Sequence, residues 1–150
     1  MAATTAGAIK ARIESLAFGV PVFRDGPRPE QGLPYIVVQE GIPASLDLRA
    51  NGDFGDPDAP ISIRETVVID LVQHARVKTG ATTTRVTERY GLAEAIARSL
   101  HGCTLPAHPA KVTAVLVGDI DRIPIKDNQV RHSITVTVLR ELLREEVVPS

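Results

Sequence analysis

The side chains with reactive chemistry in this sequence are four histidines, one cysteine and an acidic turn, so their spacing is tested first. No two of His74, His101, His108 and His132 lie three or four positions apart, so there is no local metal-ligand pair of the HExxH kind. His132 falls in the apolar row of the last predicted strand and reads as a core or edge histidine satisfied by one hydrogen bond. His74 closes a strand and reads as solvated. The turn Asn51-Gly52-Asp53-Phe54-Gly55-Asp56-Pro57-Asp58 spaces carboxylates in the manner that binds a hard divalent cation. Asp53, Asp56 and Asp58 do not have EF-hand spacing, however, and the glutamate expected at the twelfth loop position is missing. A solvated loop is the better reading. Cys103 is the only cysteine, which excludes an intrachain disulfide and a multi-cysteine metal site. A reactive thiolate needs basic neighbours; His101 alone is near, so Cys103 reads as a small buried or half-buried side chain. No GxGxxG, Walker A or GxSxG pattern occurs. The sequence therefore predicts no catalytic residue, no cofactor site and no metal site.

Bulk composition narrows the classes further. A length of 150 residues suits one domain, and a hydrophobic share of 43% is enough for a real core, which argues against global disorder. Aromatics are only 3% with no tryptophan, so the core must be filled by Val, Ile, Leu and Ala. The same scarcity argues against a base-stacking surface for single strands. Seventeen basic against 18 acidic residues leave a net charge of −1, without the basic excess that duplex binding needs to displace counterions. The stretch Met1 to Thr5 lacks the basic start and apolar run of a signal peptide. No segment approaches the ~20 apolar residues that cross a bilayer. A soluble protein of a reducing cytoplasm is expected.

Ile9, Ile13 and Leu16 recur at i, i+4 and i+7, which predicts an amphipathic helix over 8–16, capped by Thr4 or Thr5 and ended by Gly19 and Pro21. A short extended piece over 20–23 leads through a Gly/Pro loop to a strand over 34–40. Residues 41–62, rich in Gly, Pro, Asp and Ala, predict a long loop, either a mobile tip or a segment ordered against a partner. A long strand is expected over 63–74. Val86, Tyr90, Ala93, Ala97 and Leu100 predict a second helix over 84–101, stopped by Gly102. Strands follow over 112–117, closed by Gly118-Asp119, and over 130–139. The tail after Arg140 is compatible with a longer strand or a helical turn. Clustered strands with two helices predict an α+β fold: a mainly antiparallel sheet of four to five strands, with both helices on one face. No internal repeat or second domain is visible, so residues 1–150 read as one domain with a C-terminal tail over 141–150.

The strand over 63–74 has one plainly core row, Ile63, Glu65, Val67, Ile69 and Leu71. Its other row, Thr66, Val68, Asp70 and Val72, mixes apolar and polar residues, whereas a solvated antiparallel face is normally cleaner. That second face is therefore expected to be covered. The row Ser133, Thr135 and Thr137 is short-chained and uncharged, suited to a partner or to a lumen through which DNA slides without sticking. These seven residues are the candidate subunit or partner interface.

The layout resembles the tail terminator, or tail completion, proteins of long-tailed bacteriophages, similar to the minor tail protein U of lambdoid phages. The features that carry the resemblance are the opening helix with Ile9 and Ile13, the segment 20–23 running into Leu33–Val38, the strand Thr66–Val72, the helix Tyr90–Leu100, and the closing stretch Asp127–Leu139 with Arg131 and His132 at its entry. They span roughly residues 6–140 as a pattern rather than a fixed motif. The resemblance implies a non-enzymatic ring-former, commonly a hexamer, that caps the last ring of the tail-tube protein, stops tube growth and offers a surface to the head–tail connector protein. It implies a place at the head-proximal end of the virion tail after assembly in the bacterial cytoplasm, passage of DNA through the lumen without specific binding, and no membrane partner. It brings no catalytic residues. The acidic loop does not reproduce a ligand pattern that maps residue by residue. Other readings are a different neck, head-completion or baseplate component of similar fold, or a small-molecule-binding or catalytic domain beside the 41–62 loop. A closed ring repeats one heterologous contact, so each subunit must carry two different surfaces.

Overall fold

The computed structural model describes residues 4–26, 32–46, 62–74, 77–79, 83–85, 89, 91–125 and 129–141. The chain begins with helix α1, Thr5–Ser15, one turn earlier than the apolar spacing alone suggests. Thr4 is the cap: its Oγ1 accepts from the Gly7 N–H at 3.1 Å, satisfying one of the free donors of the first turn. Ala6, Ala8, Ile9 and Ile13 are buried on the inner face, and each isoleucine side chain so placed contributes about 1.5–3 kcal/mol.

Four long strands and one short one form a single sheet in the order β1-β2-β3-β7-β6. They are β1 Val22–Arg24, β2 Tyr35–Leu46, β3 Ser62–His74, β6 Val112–Ile125 and β7 Gln129–Glu141. All neighbours are antiparallel except β1 and β2, which run parallel with Val22 opposite Ile36. The fold is α+β, as the pattern predicts. Strand β3 sits at the centre, paired with β2 on one side and with β7 on the other, where thirteen successive positions, Ser62 to His74, register with Glu141 to Gln129. Its inner row, Val67, Ile69 and Leu71, has no exposed surface. With Ile36 and Val38 of β2, Val115 of β6, and Ile134, Val136 and Val138 of β7, it forms the sheet half of the core.

Helix α2, Leu92–Leu100, supplies part of the other half through Leu92, Ala93, Ile96, Ala97 and Leu100. It is half the length expected. The helix does not begin near Thr84: Thr83–Arg85 is strand β5, paired with β4, Val77–Thr79, in a small antiparallel hairpin. Two causes act. The threonine run favours extended backbone, and Gly91 sits at φ 82°, a left-handed conformation that starts a new helix rather than continuing one. Val86 and Tyr90, expected in the helical stripe, lie outside the described residues. At the other end Gly102, at φ 73°, ends α2 where predicted.

Strand β6 is longer than its sequence reads. Gly118-Asp119 does not close it; the register shifts between Val117 and Ile120 and pairing resumes to Ile125. A glycine inside a strand commonly marks such a bulge, where an extra residue is absorbed. Strand β2 likewise continues past Glu40 to Leu46 with two register shifts, so the long connection is shortened at both ends. Its remainder, 47–61, and with it the acidic turn, lies outside the described residues, as does the tail beyond Glu141. Arg140 and Glu141 prolong β7, which decides between the two readings of the tail's start in favour of strand.

Candidate interface on the uncovered sheet face

Helices α1 and α2 both contribute to the core on one side of the sheet, leaving the other side without a helix among the described residues. Strand alternation assigns residues to that open face. Across β3 and β7, Thr66 lies opposite Thr137, Val68 opposite Thr135, Asp70 opposite Ser133, and Val72 opposite Arg131. All seven candidate residues therefore share one face, in adjacent ladder positions. On β2 the row continues with Tyr35 beside Val72 and Val37 beside Asp70; on β6 it continues with Asp121 beside Ser133 and Leu116 beside Thr137.

The seven are not equally accessible. Asp70 and Val72 are each only 5% exposed, whereas Thr66, Val68, Ser133, Thr135 and Thr137 are half-buried. Asp70 and Val72 sit in the wall of a hollow of about 440 Å³, with Tyr35, Val37, Gln39 and Arg131 among its other lining residues. Gln39 Nε2 donates to Asp70 Oδ2. A second hollow of about 290 Å³ lies towards the opposite end of the same face, between Arg64, Leu116, Thr137 and Leu139. The face thus carries two recesses with a band of small hydroxyl and valine side chains between them.

Strand β6 adds a feature that the sequence reading missed. It forms an edge of the sheet, and among the described residues the large apolar side chains left exposed are on it: Leu116 at 44%, Ile120 at 38% and Ile125 at 37%. A long edge strand with exposed aliphatic groups is a surface for pairing or packing with another chain. Ile120, Ile123 and Ile125 are the sequence signal for a strand that resumes after Gly118, but neither of its rows is cleanly apolar.

The residues first examined for chemistry are dispersed. Exposed His74 ends β3, and His132 is half-buried opposite Leu71. His101 Nδ1 accepts from the Val117 N–H at 3.0 Å, tying the end of α2 to β6. His108 is buried: its Nδ1 accepts from the Ala110 N–H at 3.0 Å, so in the neutral ring Nε2 carries the proton and donates to Thr5 Oγ1, also at 3.0 Å. Two segments far apart in sequence are joined by one ring. His108→Leu leaves both partners buried and unpaired; a loss of about 1–3 kcal/mol is expected in urea unfolding, with little change for His74→Leu. Among the described residues no group of three or more His, Cys, Asp or Glu stands close enough to hold a metal, and no helix is long and apolar enough to cross a membrane.

Cys103 is half-buried against the core, as expected. Burial raises its thiol above the ordinary range, more than the nearby Arg12 charge and a backbone hydrogen bond lower it. A raised value means less thiolate at a given pH. Alkylation at pH 8 is therefore expected to be several-fold slower in the folded chain than after urea unfolding, and the folded rate should continue rising at pH values where the unfolded rate has levelled. Equal rates for the two states would contradict the burial.

The described geometry defines a class of architecture: a two-layer α+β fold in which, among the described residues, one sheet face carries no helix and β6 forms a long edge. This fold is similar to that of a chain in the virion of a native gene transfer agent particle, with a TM-score of 0.63 at 14% identity, covering 92% of this chain and 95% of that one. No protein-family model and no curated protein sequence matches the chain.

Proposed function

We propose that the chain is a structural virion protein that assembles with copies of itself into a ring, caps the tail tube, ends tube polymerisation and presents a surface for head–tail joining. The observation that carries this reading is the likeness of fold to a chain of a virion, which spans 92% of this chain and 95% of that one. The tail-terminator resemblance of the sequence supplies the finer role, and the open face with its exposed β6 edge supplies two distinct surfaces for a heterologous ring contact. A hexamer, contacts with the tail-tube protein and the head–tail connector protein, and DNA passing through the lumen belong to the same reading. The uncharged band of Thr66, Thr135 and Thr137 suits either a partner or such a lumen. The reading makes the protein non-enzymatic, located at the head-proximal end of the tail.

A neck, head-completion or baseplate subunit fits the same structural likeness, because that likeness concerns the particle and the fold rather than the position within it. Deleting the gene and imaging the particles separates these roles. Over-long or headless tails support termination, while tails of normal length with a defective baseplate, or filled heads lacking a neck, support the others. In vitro, adding the purified chain to polymerising tube protein should shorten the tubes and leave a discrete ring at one end.

A further inference from the structure

Two buried polar atoms on the open face have no hydrogen-bond partner among the described residues: Asp70 Oδ1 and Arg131 Nε. They are neighbours. Asp70 registers with Ser133 and Val72 with Arg131, so the two side chains stand diagonally across adjacent strands and line the same hollow. Gln39 satisfies only the other oxygen of Asp70. The other walls are Val37, Val72, Ile125 and Gly26 with Asp25 and Tyr35, and neither of those two polar side chains bonds to Asp70 Oδ1 or Arg131 Nε. Buried polar atoms in folded proteins are nearly always paired, and an acceptor beside a donor at an open recess is a socket for a group that brings both.

The β6 edge has the complementary chemistry. Asp119, Asp121 and Arg122 are exposed along it, both signs within four residues, and Leu116 and Ile120 supply aliphatic surface beside them. As an edge strand, it also has outward backbone donors and acceptors that the sheet does not use, apart from the Val115 carbonyl and Val117 N–H, which bond Gly102 and His101. The edge and the hollow are different surfaces, so joining one to the other propagates around a ring instead of closing a dimer. We propose that the hollow receives the β6 edge of a second copy of this chain, with Arg122 of the incoming copy facing Asp70 and an aspartate of the same edge facing Arg131. This rests on the assembly reading and names the contact that makes it.

Sedimentation velocity of the full chain, with and without tube protein, tests the contact, alongside thermal scans at a concentration where the wild type is a single subunit. Asp70→Asn and Arg122→Gln should each weaken assembly at least tenfold. The double variant should be little worse than either single, because both remove one contact. Subunit Tm should stay level or rise in Asp70→Asn, since an uncompensated buried charge has been removed; a residue serving only its own subunit would show the opposite. Wild-type assembly with both variants assembling normally, or with strictly additive losses, overturns the contact while leaving the ring reading intact. Lost tube capping with an unchanged ring mass in both variants gives the hollow to the tube protein and also overturns it. A wild type that stays single at every concentration, tube protein included, sinks the ring reading and this contact together. If such a single subunit also gains Tm from free arginine, the hollow is a small-cation site instead.

Discussion

Replacing Arg140 by alanine is expected to cost about 3–5 kcal/mol, the largest loss from any single charged side chain described here. Arg140 is 8% exposed, on the inner row of β7 opposite Ile63, where its Nε donates to Glu65 Oε1 and its Nη1 to the Glu141 carbonyl at 3.0 Å. Glu65 projects from β3 into the same layer, and its side chain retains only 17% of its exposure. Removing the guanidinium leaves a carboxylate without its counter-charge beside Val67 and Val138. The same magnitude is not expected at the exposed Lys10–Glu14 pair on α1, where solvent screens the charges and Lys10→Ala should change stability by less than ~0.5 kcal/mol. In a chain of this length Arg140→Ala should lower Tm by roughly 6–20 °C. The double change Glu65→Leu with Arg140→Met should recover most of that loss, because a well-packed apolar pair avoids the desolvation of two charges. If the double variant unfolds as early as the single, Arg140 acts through its backbone-directed bond and stem packing rather than through the ion pair.

What could be read from the sequence follows from which forces are local. Strands β3 and β7 alternate over more than ten residues, and α1 carries both its apolar spacing and its threonine cap, so period and capping were enough to place them. The two-residue period picks out the rows Thr66–Val72 and Ser133–Thr137 strand by strand; that they share one face comes only from the β3–β7 register, which neither strand contains by itself. The misplaced start of α2 arose because Val86 and Tyr90 extend a helical stripe across Gly91, whose left-handed φ separates the two segments. The β4–β5 hairpin is three residues on each side, too short to show a period. The bulge in β6 shows itself as a shift of register against β7 between Val117 and Ile120, a relation between residues that no local window contains. The hollow is still less local. Val72 is covered because β2, the Asp25–Gly26 turn and the end of β6 converge there, and Asp70 meets a glutamine 31 residues earlier. Alternation predicts which way a side chain points; it does not predict what stands in front of it.

That distinction decides where to insert charge in order to break the proposed assembly without breaking the subunit. Val68 and Val72 are the apolar pair suggested by the strand pattern alone, but aspartate at Val72 would be buried inside the subunit, beside Asp70, and would unfold it for reasons unrelated to a partner. Val68, half-buried, and Leu116, 44% exposed on β6, are the better pair. Both face the open side, and neither lines the Asp70 hollow. Val68→Asp with Leu116→Asp is expected to reduce subunit stability by about 1–2 kcal/mol, mostly through the poor strand propensity of aspartate at Val68. It is expected to weaken assembly at least a hundredfold, which corresponds to about 3 kcal/mol and is within reach of two unpaired carboxylates forced into a contact. Ala95→Asp places the same charge on the exposed side of α2, away from the open face, and should leave assembly unchanged. Mass measurement across a concentration series, with circular dichroism confirming the fold, reads both variants. If Ala95→Asp dissociates the ring and the open-face pair does not, the helix layer rather than the bare sheet is the surface between copies.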